Sequence, residues 1–207
     1  TPIANLTVTS ATAKQSLTGD GCPGTPKKYN RVYTVTDCSG NTVAVTQVIT
    51  FLDNVAPMWT TNPSPLTFAC DAANITTNII QPWITSHGTT GLATDNCPSN
   101  TINYAVSLTN FGATASAADI LAAVNAATCV GGMRSITVYF RPSDPCMNNG
   151  AVVSATVTQT DFTPPTATVA PATQTVNCAT AVTNLGYPNT ANVTPSDNCS
   201  GISGVVS

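Results

Sequence analysis

Eight cysteines recur along this 207-residue chain at a nearly constant interval, and this spacing limits the fold more than any other feature. Four pairs of cysteines lie 102 to 108 positions apart: Cys38 and Cys146, Cys70 and Cys178, Cys22 and Cys129, and Cys97 and Cys199. A fixed interval of this length indicates a tandem repeat, in which one module recurs along the chain. We therefore expect a repeated structural unit rather than a single unique active site.

Short motifs beside the cysteines recur with the same offset and set the phase of the repeat. The segment Asp53–Pro57 returns as Asp161–Pro165, and Thr94–Cys97 returns as Ser196–Cys199. If each repeat begins at the aspartate of the first motif, the chain contains one complete repeat and two partial ones. We expect the C-terminal part of a preceding repeat at 1–52, a complete repeat at 53–160 and the N-terminal part of a following repeat at 161–207.

The composition favours strands and excludes a nucleic-acid partner. Only 7% of the residues are charged, the net charge is −3 and the chain has no glutamate. Few lysines and many threonines and valines favour strands over long surface helices. The six basic residues are scattered, whereas nucleic-acid binding requires a basic stripe.

An even number of periodic cysteines predicts disulfide bonds. Zinc sites need closely spaced ligands, but the nearest two cysteines are 16 positions apart and His87 is the only histidine. Disulfides indicate an oxidising compartment, so we expect an extracellular, cell-surface protein. The chain has no signal peptide and no apolar run of membrane-spanning length, so export would be directed by sequence outside this segment.

Alternating apolar and polar residues predict an all-β fold made of immunoglobulin-like antiparallel β-sandwich repeats. A β-hairpin is predicted twice, once in each of the first two repeats, over 31–36 with 42–51 and over 135–140 with 152–160. Further strands are predicted over 66–70, 75–80 and 101–108. Residues 116–125 combine Ser-x-x-Asp with an Ala/Leu-rich run, which predicts a short helix.

A sandwich of this order also predicts which cysteines are bonded. The loops that carry Cys97 and Cys146 fall at one pole, and Cys70 and Cys129 fall at the other. We therefore predict the disulfides Cys97–Cys146 and Cys70–Cys129. The partners of the remaining cysteines are expected outside this chain: Cys22, Cys38, Cys178 and Cys199.

Three phrases of the sequence resemble hyalin-type (HYR-like) immunoglobulin-fold repeats. They are Tyr33–Asn41, Asp53–Pro57 and Thr94–Cys97. The resemblance is strongest to the long, cysteine-bearing repeat proteins of bacterial surfaces, including gliding-motility adhesins of the Bacteroidetes. It implies an extracellular stalk or adhesin filament of stacked β-sandwiches, with cell adhesion as the process served.

The recurring aspartates suit structural work better than chemistry. Asp37 and Asp144, Asp53 and Asp161, and Asp95 and Asp197 recur with the repeat, which is typical of side chains that cap turns. We expect no catalytic residue, no cofactor and no resident metal, because no nucleophile motif, phosphate loop or histidine pair is present. Calcium is the alternative that oxygen ligands allow, with Asp53, Asp95 and Asp144 as its candidate ligands.

Two further sets of residues bear on function. Asn-x-Ser/Thr sequons permit glycosylation at Asn5, Asn74, Asn192 and Asn198. Trp59 and Trp83 are expected to pack in a core or between domains, with ligand stacking as the alternative.

The leading interpretation is a stiff, disulfide-stabilised stalk of a surface filament or adhesin. Its partners would be neighbouring repeats of the same polypeptide or filament, with surface polysaccharide or other cells as adhesion targets. One alternative is a carbohydrate- or partner-binding module of a secreted protein. The other is a strand-donating fibre subunit, in which the two partial repeats complete each other between neighbouring subunits.

Overall fold

The computed structural model describes residues 7–17, 19–97, 101–167, 195–197 and 199. These residues fall into two compact units, each made of segments that are not contiguous in the chain. The first unit contains the described residues of 1–61, 92–105 and 141–151. The second contains those of 62–91, 106–140 and 152–207.

The first unit is built on a three-stranded antiparallel sheet in the order β1-β2-β3. Its strands are β1 (Thr7–Leu17), β2 (Lys27–Thr36) and β3 (Thr42–Phe51). Strands β2 and β3 pair without a register break from Lys27 opposite Phe51 to Thr36 opposite Thr42, which confirms the first predicted hairpin. A short antiparallel pair joins β4 (Met58–Thr61) to β6 (Leu92–Thr94).

The second unit is built on a four-stranded sheet in the order β5-β9-β8-β7. Its strands are β5 (Leu66–Ala69), β7 (Asn103–Ser107), β8 (Met133–Ser143) and β9 (Val153–Thr160), of which β7 and β8 also contribute residues to the first unit. Strands β8 and β9 are antiparallel and confirm the second predicted hairpin. Strand β5 runs parallel to β9 at the sheet edge, so the sheet is not purely antiparallel. Two-residue strands β10 (Thr166–Ala167) and β11 (Pro195–Ser196) form a separate pair.

A hydrophobic core lies in the second unit. Strand β8 buries alternate side chains, Val138 and Phe140, as the two-residue period of a strand requires. The ring of Trp83 meets Phe140 edge-on at 5.1 Å between centroids, and its indole N–H donates to the Ser64 carbonyl. The other buried apolar side chains of this core are Phe68, Ile80, Val106, Ala117, Ile120, Val124, Ala155 and Val157.

The predicted helix is present as α2 (Ala117–Ala126). Ser116 caps its first turn: the hydroxyl oxygen accepts from the Asp119 N–H at 3.2 Å, and the Asp119 carboxylate accepts from the Ser116 N–H at 2.8 Å. The Ser116 hydroxyl also donates to the Asp119 carboxylate at 2.6 Å. This bond, followed by the one from the Ser116 N–H, holds the pKa of Asp119 below its ordinary value. Because Ala117, Ile120 and Val124 recur at helical spacing, one face of α2 is buried.

The strand predicted over 75–80 is wrong. Ile75–Ile80 forms a π-helical segment that continues into α1 (Gln81–Thr85). Asn74 begins the segment in the left-handed region at φ 54°, and Pro82 lies in the first turn of α1, where a missing N–H costs nothing. Burial of Ile80 and Trp83 outweighs the strand preference of the β-branched residues.

The described residues thus form an all-β fold with a short helix, as the sequence predicts. Among the described helices, none has the length and apolar character that a membrane span requires.

The N-cap of α2 gives a direct test of helix stability. Replacing Ser116 by alanine removes the side-chain acceptor for the Asp119 N–H and should lower the free energy of unfolding by about 1 kcal/mol. Ser116→Asn retains an acceptor and is the matched control, with a loss well below that of the alanine variant. Urea unfolding followed by circular dichroism measures both, and equal losses in the two variants would show that the cap is unimportant.

Candidate functional site

Two disulfides join distant parts of the chain, and neither is a predicted one. Cys22 is bonded to Cys146 in the first unit, over 124 positions, and Cys70 is bonded to Cys199 in the second, over 129 positions. Both predicted pairings, Cys97–Cys146 and Cys70–Cys129, are thereby corrected. So is the expectation that Cys22 and Cys199 have their partners outside the chain. The prediction placed both bonds inside one sandwich, whereas the two cysteines of each observed bond are separated by more positions than one repeat contains.

Three further cysteines of the described residues are free. Cys38 and Cys129 are exposed, and Cys97 is half-buried. Cys178 lies outside the described residues. The exposed thiols stand in turn-rich connections, Cys38 between β2 and β3 and Cys129 between α2 and β8.

Cys97 lies in an acidic cluster of the first unit that consists of Asp53, Asp95 and Asp144. Ligand atoms of Asp53, Asp95 and Cys97 lie within 4.8 Å of one another. Asp53 and Asp144 are 3% and 2% exposed, respectively. The side-chain amide of Asn148 links two of the aspartates, because its N–H groups donate to the Asp144 carboxylate at 2.8 Å and to the Asp53 carbonyl at 3.3 Å. The structure thus places two of the candidate calcium ligands, Asp53 and Asp95, within 4.8 Å of each other, and Asn148 links the third, Asp144, to Asp53.

Each aspartate of the acidic cluster accepts a backbone N–H from its own turn. Asp95 accepts from Cys97 at 2.8 Å, Asp144 from Asn148 at 2.9 Å and Asp53 from Val55 at 3.4 Å. Their repeat equivalents Asp37, Asp161 and Asp197 do the same. The predicted turn-capping role is therefore confirmed at all six positions.

Calcium binding by the acidic cluster stays a prediction. Carboxylates suit calcium, and one oxygen of Asp95, Oδ2, is buried without a hydrogen-bond donor. The thiol of Cys97 is a soft ligand that calcium does not prefer. Turn capping accounts for the backbone N–H groups that these three carboxylates accept.

The acidic cluster changes the chemistry of the Cys97 thiol. Burial is the largest cause that raises its pKa above the ordinary value for cysteine, followed by its hydrogen bond to Asp53 and the negative charges of Asp53, Asp95 and Asp144. A thiol with a raised pKa is a weak nucleophile at neutral pH, because the thiolate is the reactive form. The site therefore suppresses the reactivity of Cys97.

The tryptophans have structural positions. Trp83 is 3% exposed and belongs to the core, as expected. Trp59 is half-buried against Tyr104 at 5.6 Å between ring centroids, and its indole N–H donates to the Ala151 carbonyl at 2.8 Å. The ring of Trp83 is therefore closed to a sugar, and that of Trp59 is partly covered by Tyr104.

A small polar cavity in the second unit is lined by Cys129, Arg134, Asp161 and Cys199, among others. Its volume of about 50 Å³ is far below the several hundred Å³ of pockets that enclose a small-molecule ligand. The cavity can hold water rather than a substrate.

One predicted glycosylation site lies in the described part of the chain. Asn74 is exposed at the start of the π-helical segment, where a glycan would meet solvent. The sequons at Asn5, Asn192 and Asn198 lie outside the described residues.

Comparison with known proteins identifies no family: no family model and no curated protein matches the chain. Among solved structures, the chain is similar to human mucin-like protocadherin EC1-2 at 11% identity and a TM-score of 0.37, covering 77% of this chain and 85% of that one. Drosophila N-cadherin EC1-4 gives 16% identity, a TM-score of 0.36 and coverages of 77% and 41%. The protocadherin gammaB7 EC3-6 cis-dimer structure gives 12% identity and a TM-score of 0.33, covering 79% of this chain and 44% of that one. The chain thus spans less than half of the last two structures.

The raised pKa of Cys97 predicts slow alkylation. With iodoacetamide at about pH 8, Cys97 should react more slowly than the exposed thiols Cys38 and Cys129, because less of it is thiolate. Asp53→Asn removes one negative charge from the acidic cluster, so it should lower the pKa and speed alkylation of Cys97 several-fold. Asp71→Asn removes a charge at an exposed position and is the matched control.

Site-resolved mass spectrometry of the labelled peptides measures these rates. Equal rates at the three thiols, or no difference between the two variants, would contradict the effect of the acidic cluster.

Proposed function

We propose that the chain is a non-catalytic structural segment of an extracellular surface filament or adhesin, in which disulfide-stapled repeats form a stiff stalk. Its repeats follow the predicted partition at 1–52, 53–160 and 161–207. The partners of the segment are neighbouring repeats of the same polypeptide, and its setting is the surface of a cell. The observation that carries the proposal is the Cys22–Cys146 disulfide.

This disulfide crosses the predicted repeat boundary. Cys22 belongs to the partial repeat at 1–52, and Cys146 belongs to the last hairpin loop of the repeat at 53–160. A covalent bond between two successive repeats limits bending at their junction in a way that surface contacts alone do not. Such a bond suits a stalk that transmits force.

The junction itself is packed. The Asp53 N–H donates to the Gly21 carbonyl at 2.7 Å, and the Asp53 carbonyl accepts from Asn148 at 3.3 Å, so both neighbouring loops hold the boundary residue. Pro57 is fully buried, and Gly150 lies so close to the Pro57 carbonyl that a side chain at Gly150 would collide with it. A linker of this kind is rigid, unlike an exposed Gly/Ser segment.

The exposed sheet of the first partial repeat supports the partition into repeats. Strand β9 of the complete repeat buries Ala155 and Val157. The corresponding strand β3 instead exposes its apolar side chains: Val43 is 59% exposed, Val45 56% and Phe51 55%. Exposed valines on a hairpin indicate a sheet that normally has a covering layer. The same surface favours strand donation as the second candidate, with the cover supplied by another subunit.

The tryptophans argue against the carbohydrate-binding alternative. Trp83 is in the core, and Trp59 is half-buried with its N–H bonded to Ala151. A sugar-binding face usually presents an exposed aromatic ring, and these two rings are engaged elsewhere.

The extracellular setting is tested on intact cells of the source organism. Antibodies raised against this chain should label unpermeabilised cells, and brief protease treatment of the cell surface should remove the label. Labelling that requires permeabilisation would contradict an extracellular stalk.

The stapled junction is tested by removing its bond. The double variant Cys22→Ser, Cys146→Ser should lose about 2–5 kcal/mol of unfolding free energy, because the unfolded chain is no longer restricted by a 124-position loop. Proteolysis between 52 and 57 should also become faster. The matched control is Cys38→Ser, Cys129→Ser, which removes two free thiols and should leave both measurements unchanged.

Non-reducing urea unfolding and timed digestion provide the two readouts. If both double variants unfold at the same urea concentration and are cleaved at the same rate, the bond does not stiffen the junction.

A further inference from the structure

The two disulfides obey one rule when the cysteines are numbered by their place in the repeat. The complete repeat carries four cysteine positions, which we call first, second, third and fourth: Cys70, Cys97, Cys129 and Cys146. By the repeat offset, Cys178 and Cys199 are the first and second positions of the following repeat, and Cys22 and Cys38 are the third and fourth positions of the preceding one.

Both observed bonds join one repeat to the next. Cys70–Cys199 links a first position to the second position of the following repeat. Cys22–Cys146 links a third position to the fourth position of the following repeat. No bond of the described residues joins two cysteines of the same repeat.

The same rule accounts for the cysteines that are free. Cys97 occupies a second position, so its partner is the first-position cysteine of the preceding repeat. Cys38 occupies a fourth position, so its partner is the third-position cysteine of the preceding repeat. Cys129, a third position, requires a fourth position downstream. All three partners fall in repeats beyond this chain, and all three thiols are free in the structure. The rule places the partner of Cys178 downstream as well.

The local setting of Cys97 matches that of a bonded cysteine. The Cys97 N–H donates to Asp95 at 2.8 Å beside the junction residue Asp53, and the Cys199 N–H donates to Asp197 at 2.9 Å beside Asp161, the repeat equivalent of Asp53. At the second of these sites the sulfur of Cys70 is also present and bonded. The equivalent partner at the Cys97 site would come from the preceding repeat.

The other free cysteines also stand in the setting of their bonded equivalents. Cys38 lies in a loop where Asn41 donates both its backbone and its side-chain N–H to Asp37, as Asn148 does to Asp144 in the loop of Cys146. Cys129 directly precedes a tight turn closed by Val130 and Met133, and Cys22 stands at a similar turn, one residue later, which it closes with Thr25.

We propose that all disulfides of the array run between successive repeats, first position to second and third position to fourth, so that two bonds link each repeat to the next. This inference rests on the proposed function. Each bond forms when two thiols transfer two protons and two electrons to an oxidant of the extracytoplasmic compartment that carries a disulfide. The disulfide of the oxidant is thereby reduced to a dithiol. The partner of each free thiol is therefore a neighbouring copy of the same module.

Overlap of the bonds has a mechanical consequence. The loop closed by Cys22 and Cys146 overlaps the loop closed by Cys70 and Cys199 over residues 70–146. If the pattern continues, every peptide bond inside the array lies within at least one disulfide-closed loop. A single backbone cut then leaves the filament covalently joined.

The test uses the native, full-length polypeptide, released from the cell surface with its free thiols blocked by iodoacetamide. Digestion without reduction, followed by mass spectrometry, should show the Cys97 peptide linked to a first-position peptide of the upstream repeat. The Cys129 peptide should be linked to a fourth-position peptide of the downstream repeat. In addition, a brief protease treatment should leave full-size material on a non-reducing gel and fragments on a reducing one.

Contrary results separate the two proposals. A long array with Cys97–Cys146 or Cys70–Cys129 bonds, or with Cys97 alkylated, would overturn the inter-repeat pattern and leave the stalk proposal standing. A reduced native polypeptide of only 21.1 kDa, without further repeats, would overturn both.

Discussion

The Cys22–Cys146 disulfide is the constraint on which the first unit depends. The buried side chains described in this unit are few and small or polar: Asp53, Pro57, Ala93, Pro142 and Asp144. These side chains bury little apolar surface, so they contribute little hydrophobic stabilisation to the unit. A bond that closes a loop of 124 positions restricts the unfolded chain strongly. The second unit, with Phe140, Ile120 and Val157 fully buried, relies on its hydrophobic core instead.

The Cys22–Cys146 disulfide also helps to keep the carboxylates of the acidic cluster buried. Carboxylates as little exposed as those of Asp53 and Asp144 are costly unless N–H groups replace the lost water. The backbone donors lie in the turn of each aspartate, and the Asn148 side chain joins the two turns only while the loop at 144–149 stays beside residue 53. Cys146 lies in that loop, so its bond to Cys22 holds the donors in place. The burial of these aspartates consequently depends on the packing of residue 53 against the loop at 144–149.

The sequence predicted the features that depend on local pattern and missed those that depend on distant partners. Alternation located both hairpins, and the Ser116–Asp119 box located α2, because each signal lies within about ten residues. Residues 75–80 were assigned to a strand, since β-branched residues favour strands wherever packing does not decide otherwise. The aspartate turns recur with the repeat and were recognised for that reason. The disulfide partners could not be read in this way, because spacing gives equivalent positions but not the repeat in which the partner of a cysteine lies.

Under the proposed function, the observed bonds would allow a module with so little charge and a modest core to serve in a stalk. A bond within one sandwich stabilises that sandwich but leaves the junction as the weakest point under tension. A bond from one repeat to the next would stabilise two repeats and their junction at once, as Cys22–Cys146 would across the proposed boundary at Asp53. Residues 70–146, which include α2 and all of β8, lie inside both disulfide-closed loops and are restricted twice in the unfolded state. In the proposed array, the stability of each repeat would thereby be coupled to that of its neighbours, and the array would resist extension better than its isolated modules.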